Sequence, residues 1–262
     1  MFKVIQRILK DKIATEPVCL SGSERFRGQL AGKCPESLTS ACASACPVRA
    51  FQSDEASADG YRINYRRCIF CGRCVETAVR GAAGAQGLLH HLPVDAMPFL
   101  LETAQEVTAA VIGQRLGRSL HVRHLDAGSC NACDFEMSML SNPFYDVSRW
   151  GINFVASPRH ADLLMITGGV TENLLGALTK TYEATPNPKI VMAVGSCGIS
   201  GGVIGKTYAN IGAVYKVVPV DVVVPGCPPR PQALLEGILL GLLKYEEKIK
   251  RGGTVESGTT TI

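Results

Sequence analysis

The chain has 262 residues, a formal net charge of +4, 46% hydrophobic and 19% charged residues. That length supports one sizeable core plus a small accessory domain, and the composition is that of a folded globular protein. The charge leaves no footprint for nucleic acid, and eleven cysteines, an odd number, do not suit a disulfide framework.

Residues 2–13 place Phe2, Ile5, Leu9 and Ile13 on one helical face and Lys3, Arg7 and Lys10 on another. Such a helix packs on a neighbour or lies at a lipid surface, and the sequence leaves both open. Residues 1–33 carry seven basic and three acidic side chains, a local excess that favours an acidic partner or a lipid headgroup layer. No secretory apolar run follows Met1 and no twin-arginine signal is present, so the expected location is the cytoplasm. The longest apolar stretch, Ala233 to Leu243, is interrupted by Glu236 and too short to span a bilayer.

Residues 34–90 are Cys-rich with few long apolar runs, as expected of a small domain held by a cofactor. Bacterial ferredoxins repeat C-x2-C-x2-C-x3-C-P, and the fourth Cys of each run serves the other run's cluster. Cys68, Cys71 and Cys74 supply a complete triplet, but Ala78 and Val79 stand where its Cys-Pro would be. In the earlier half, Cys42, Cys46 and Pro47 keep the end of the motif, while Glu36 and Thr39 replace its first two cysteines. The crossover rule then predicts one upstream 4Fe–4S site from Cys46, Cys68, Cys71 and Cys74, with the second cluster lost. Zinc on the same four thiols is the competing reading. Cys19, Cys34 and Cys42 remain over, as small buried hydrophobes or as part of a three-Cys cluster.

Pro93 and Pro98 punctuate a boundary, after which Asp95 is placed to cap a tethering helix carrying Leu100, Ala104, Val107 and Val111 and ending near Gly113 to Gly117. From Ser119 strands and helices alternate. The predicted strands are Leu120–Leu125, Ile152–Ala156, Asp162–Thr167, Ile190–Val194 and Val220–Val224; the predicted helices are Asp134–Leu140, Glu172–Thr185 and Pro231–Lys250. This order with near-continuous apolar strands predicts an α/β domain with a parallel sheet covered on both faces. Cys130 and Cys133 (CNACDFE), Cys197 (GSCG) and Cys227 (PGCPP) all fall just beyond strand carboxyl ends, where such folds bind ligands. Four soft sulfur donors there form a second iron–sulfur set. Backbone N–H groups around Gly195 to Gly202 are its expected donors to sulfur. Residues 200–207 (SGGVIGKT) nearly spell a phosphate-binding loop, but Ser200 replaces the first Gly, and Ser196, Cys197, Gly198 and Ile199 intervene so that the segment does not follow its strand directly. The predicted organisation is an N-terminal helix and ferredoxin-like domain over 1–94, a linker helix over 95–118, the cluster-binding domain over 119–250 and a flexible tail over 251–262.

CNACDFEMSML, SPRHADLLMITG, GSCGISGG and VDVVVPGCPPRP together resemble the small subunit of membrane-bound, formate hydrogenlyase-type [NiFe]-hydrogenases and the related 20-kDa subunit of respiratory complex I. The resemblance covers about residues 119–247; the fused ferredoxin-like part is less usual for the family. The complex I subunit has adjacent cysteines at the first motif, whereas Cys130-Asn131-Ala132-Cys133 has the hydrogenase spacing. The resemblance implies a flavodoxin-like fold and a proximal 4Fe–4S cluster on Cys130, Cys133, Cys197 and Cys227, beside a large subunit carrying a nickel–iron site. A Glu at the position of Glu136 recurs in both relatives and is a candidate for proton movement, the competing reading being a solvated helix-face Glu. Arg159 and His160 match the family string, and His160 reads as a helix-start structural residue or as one that tunes the cluster. The expected protein is an electron-transfer subunit with two 4Fe–4S clusters and no complete active site of its own. Its expected partners are that large subunit, a ferredoxin-like subunit and membrane-arm subunits, which would hold it on the cytoplasmic face of the membrane. The alternatives are the corresponding subunit of a quinone-reducing, complex I-like assembly or of a nickel-free relative, and a free-standing carrier.

Overall fold

Two apolar runs, LLMIT over Leu163–Thr167 (β7) and IVMAV over Ile190–Val194 (β9), are buried at every residue and form the middle of the main sheet. In this computed structural model residues 26–54, 56–82, 87–92 and 116–250 are described. The 2–13 helix, the helix from Asp95, Cys19 and the tail lie outside them. Strands β5 (Leu120–Asp126), β6 (Ile152–Phe154) and β11 (Val222–Val224) complete a five-stranded sheet in the order β11-β9-β7-β5-β6, parallel at every pairing. In chain order this is 2-1-3-4-5, the flavodoxin arrangement, whose switch point lies between β5 and β7.

Alternation along each strand sends side chains to two cores. Leu163, Met165, Ile190, Met192 and Val194 join one cluster with Leu234, Ile238 and Leu242 of helix α6 (Pro231–Lys250). Ile166, Val191 and Ala193 join the other with Leu178 of helix α4 (Glu172–Ala184) and Ile199 of α5 (Gly195–Ser200). Helix α6 comes close to the sheet because two of its residues lack a side chain. A Cβ at Gly237 would meet Val224 Cγ2 at 2.4 Å, and one at Gly241 would meet Leu163 Cδ1 at 2.7 Å.

Upstream, the order is β1 (Leu30–Ala31), α1 (Glu36–Ala45), β2 (Phe51–Ser53), β3 (Tyr61–Ile63), α2 (Arg73–Gly81) and β4 (His90–His91). β1 pairs with β4 and β2 with β3, both antiparallel. Between the Cys130 loop and β6, α3 spans Ala132–Met139, two residues earlier than its acidic first turn indicates. A short antiparallel pair, β8 (Val170–Thr171) with β10 (Asn210–Gly212), lies outside the main sheet. β6 stops at Phe154 and β11 starts at Val222, each two residues shorter than expected.

The base of β7 is pinned by one carboxylate. Asp162 accepts from Arg118 Nη1 at 2.8 Å and Nη2 at 2.5 Å, from the His121 N–H at 3.0 Å and from the Tyr245 hydroxyl at 3.2 Å. Burial works against the carboxylate, but these donors win and hold its pKa below the ordinary value. Asp162→Asn is expected to cost about 2 kcal/mol, in the range for hydrogen bonds to a charged group, because Arg118 is half exposed. Since the folded pKa is depressed, the contribution is full above the unfolded value of about 3.9 and fades as pH falls through the folded one. Urea midpoints should show a constant wild-type advantage above about pH 5 that shrinks below about pH 4; an advantage independent of acid would contradict this account.

Candidate iron–sulfur ligand sets

Parallel strands end on one edge, so the segments after β5, β9 and β11 meet there: Cys130 lies in the loop after β5, Cys133 in the first turn of α3, Cys197 in α5 and Cys227 in the loop after β11. Cys133 lies within electrostatic reach of Cys227, Cys197 and Cys130. Burial, then these neighbours, push its thiol up to about 12; Cys197 and Cys227 are raised for the same reasons. Deprotonating such a group requires a nearby compensating cation. Glycines keep the space around the sulfurs open. A Cβ at Gly195 would approach Cys133 Sγ to 2.7 Å, and one at Gly202 would approach Cys197 Sγ to 2.7 Å; both residues have positive φ, +78° and +60°.

The Cys130–Cys133 loop is fixed by two aspartates. Asp126 Oδ1 accepts from the N–H groups of Gly128 at 2.8 Å and Ser129 at 2.6 Å. Asp134 accepts from Ser129 Oγ at 2.5 Å and from Thr167 Oγ1 at 2.7 Å. His124 Nε2 lies 2.9 Å from both Thr167 Oγ1 and Asp134 Oδ1, which requires the ring proton on Nε2 because Thr167 already donates to the carboxylate. Burial lowers the His124 pKa, against the pull of Asp134. His124 also lines a cleft of about 560 Å³ with Arg123, Met137, Asn153 and Phe154; none of the four cysteines borders it.

The upstream cysteines gather in the same way. Cys68 feels Cys74, Cys46 and Cys71, and burial first, then these neighbours, raise it to about 12 despite the Phe70 N–H; Cys74 is raised to about 11, chiefly by burial. N–H groups reach sulfur here: Ala50 donates to Cys46 Sγ at 3.2 Å and Phe70 to Cys68 Sγ at 3.4 Å. Around Cys197 the expected donors are turned elsewhere. Ser196 N–H donates to the Gly226 carbonyl, Gly201 N–H to the Cys197 carbonyl and Gly202 N–H to Ser200 Oγ. Cys42 and Ala78, both 0% exposed, sit in one apolar cluster with Cys34, Phe51, Tyr61 and Leu89. The Cys34 and Cys42 sulfurs are 3.7 Å apart, and Cys42 S–H points at the Cys74 carbonyl, 3.4 Å away.

The remaining sequence candidates separate. Glu136, on α3, is half-buried; burial raises its pKa while Arg230 pulls it down. Arg159 and His160 are exposed on a single 3-10 turn whose N-cap, Ser157, accepts from the Arg159 N–H at 3.4 Å. Lys206 lies in a loop that runs from the end of α5 into β10, with no helix after it. Sequence reasoning missed Ser196, whose hydroxyl reaches the Cys68 carbonyl at 2.7 Å and the Gly226 carbonyl at 3.1 Å. It also missed Phe26 and Arg27: the Phe26 ring lies 4.4 Å under the Arg230 guanidinium, and Arg27 Nη1 donates to the Cys71 carbonyl at 2.6 Å. The one signal for Ser196 was its place immediately before a clustered cysteine.

A parallel α/β sheet with cysteines gathered beyond its strand ends defines a class of cofactor-holding domain. Residues 130–240 match the family described as NADH ubiquinone oxidoreductase, 20 Kd subunit, and the chain belongs to it. It is 46% identical over 143 residues to the probable membrane-bound hydrogenase subunit mbhJ of Pyrococcus furiosus, spanning 55% of this chain and 86% of that protein. It is 38% identical over 160 residues to formate hydrogenlyase subunit 7 of Escherichia coli, spanning 61% of this chain and 63% of that protein. Among solved structures, a chain of the membrane-bound sulfane sulfur reductase, an archaeal respiratory membrane complex, is 39% identical with a TM-score of 0.43, covering 53% of this chain and 76% of that one. Among the described residues no helix is long and apolar enough to cross a membrane.

Proposed function

We propose that the protein is the electron-transfer small subunit of a membrane-associated [NiFe]-hydrogenase, with two 4Fe–4S clusters. The observation that carries this is the gathering of Cys130, Cys133, Cys197 and Cys227 from three separate strand ends onto one edge of the sheet. The donor set fits the group: four thiols, glycines where a Cβ would strike sulfur, and no imidazole or carboxylate among the four. A single ion draws its donors into one coordination sphere, with Zn–S about 2.3 Å. Among the described residues no group of three or more His, Cys, Asp or Glu could hold a single metal ion. Cys130, Cys133, Cys197 and Cys227 would each supply one thiolate to a cluster, which would supply one-electron redox chemistry there.

Cys46, Cys68, Cys71 and Cys74 would hold the upstream cluster, on a ferredoxin-like domain over residues 1–94. The β-α-β-β-α-β order with its two antiparallel pairs supports that reading, and so does the packing of Cys42 and Ala78 into an apolar core where a further cluster would need ligands. When bound, the clusters supply one-electron carriers. The protein's part is to hold them apart from water and from each other, between a ferredoxin-like donor subunit and the nickel–iron site of a large subunit. Glu136, half-buried, with burial raising its pKa and Arg230 drawing it down, would serve proton movement near the large subunit. Both curated relatives are named as subunits, and one of them as a subunit of a membrane-bound hydrogenase, which supports assembly into a membrane-bound complex with this chain on the cytoplasmic face through its partners.

The family's description favours one second reading, the corresponding subunit of a quinone-reducing assembly. The C-x2-C spacing of Cys130 and Cys133 speaks for the hydrogenase. Anaerobic purification with iron, sulfide and nickel analysis tests both. About eight irons per chain and a co-purifying large subunit with two CxxC pairs and nickel are expected; a large subunit without those pairs would move the assignment to the second reading.

A further inference from the structure

The two cysteine sets are joined through one buried hydroxyl. Ser196 is 1% exposed and directly precedes Cys197. Its Oγ lies 2.7 Å from the carbonyl of Cys68, in the upstream set, and 3.1 Å from the carbonyl of Gly226, which precedes Cys227. A serine hydroxyl has one proton, and the Gly226 carbonyl already receives the Ser196 N–H at 2.9 Å. The contact to Cys68 is the shorter of the two, and we assign the hydroxyl proton to it. A bonded route between the sets leaves Cys68 through its own carbonyl, crosses one hydrogen bond and reaches Cys197 one peptide later. Residues 26 and 27 straddle the same junction, Phe26 against Arg230 and Arg27 on the Cys71 carbonyl.

We infer that Ser196 is a positioning residue for electron transfer between the two sites: its hydroxyl clamps the Cys68 loop to the Cys197 and Cys227 loops and fixes both the separation and the coupling of the clusters. The inference rests on the two-cluster reading. One electron leaves one site and enters the other, no bond forms or breaks, and the Ser196 proton stays on Oγ.

The test uses the full chain with both clusters, wild type against Ser196→Ala, with Ser196→Thr as the variant that keeps the hydroxyl. For the rate, each is mixed anaerobically with less than one equivalent of reduced methyl viologen and freeze-quenched at intervals. For the broadening, a second portion is fully reduced with excess dithionite so that both clusters are paramagnetic. Both are read by EPR, with iron counted on the same samples. The expected result is full iron in Ser196→Ala, weakened spin–spin broadening between the clusters and about tenfold slower equilibration, the lower end of what losing an outer partner costs at a metal site. Ser196→Thr should restore the broadening and the rate. Unchanged broadening and rate in an iron-replete Ser196→Ala overturn the inference. So does selective loss of the downstream signal, since the hydroxyl would then merely scaffold Cys197. A wild-type chain lacking one of the two signals instead sinks the two-cluster reading itself.

Discussion

Cys46→Ser is expected to lower the iron of the anaerobically purified chain from about eight atoms to about four, removing the upstream EPR signal and sparing the downstream one. Cys46 is separated from the Cys68–Cys74 triplet by more than twenty residues of sequence, and only the fold returns it there. It follows helix α1, and Pro47 stops that helix from continuing. The Ala50 N–H on its sulfur and the charge coupling to Cys68 and Cys74 place it with the triplet. Serine keeps the size but loses the soft donor. Cys42→Ser makes the contrast: Cys42 is fully buried in apolar contacts, and the variant should lose stability before it loses iron. If Cys46→Ser keeps the upstream signal and Cys42→Ser destroys it, the crossover assignment is wrong.

Gly195→Ala should do the reverse, emptying the downstream site and leaving the upstream one. At φ +78° an L side chain carries strain of about 1–2 kcal/mol. The larger effect is local, because the new methyl would stand 2.7 Å from Cys133 Sγ, so that this sulfur has to shift from its place. The control is Gly176→Ala, on α4, where nothing lies within 4 Å of the added carbon. That change should stabilise by about 1 kcal/mol through helix propensity and leave the iron content alone. A Gly195→Ala protein with full downstream signal would mean that the ligand loop is looser than its packing indicates.

Much of the sheet was legible because its strands are buried on both faces and carry no turn residues: Ile190–Val194 was placed to the residue, and α6 at both ends. Helix α5 was not, because GSCGIS looks like a loop by propensity, and only packing on β9 and β7 makes it helical. β8 and β10 were invisible for a different reason: two- and three-residue strands offer no period to read. In the site, spacing gave the eight cysteines as candidates, since thiol chemistry is written into residue type. What spacing does not carry is the partner of a small polar side chain. Ser196 meets Cys68 across 128 positions, and Asp134 meets His124 and Thr167 through a contact that exists only when β5 and β7 lie side by side.

The order in which the cysteines occur along the chain has a consequence for how the protein matures. The upstream set is complete once residue 74 has been made, whereas the downstream set stays open until residue 227 emerges and β11 adds to the edge of β9. On the two-cluster reading proposed above, metal delivery would be staged: the first cofactor could be loaded onto a nascent chain, but the second would have to wait for a finished sheet. A truncation before β11 should accumulate a half-loaded species, a natural checkpoint against committing an incomplete subunit to assembly.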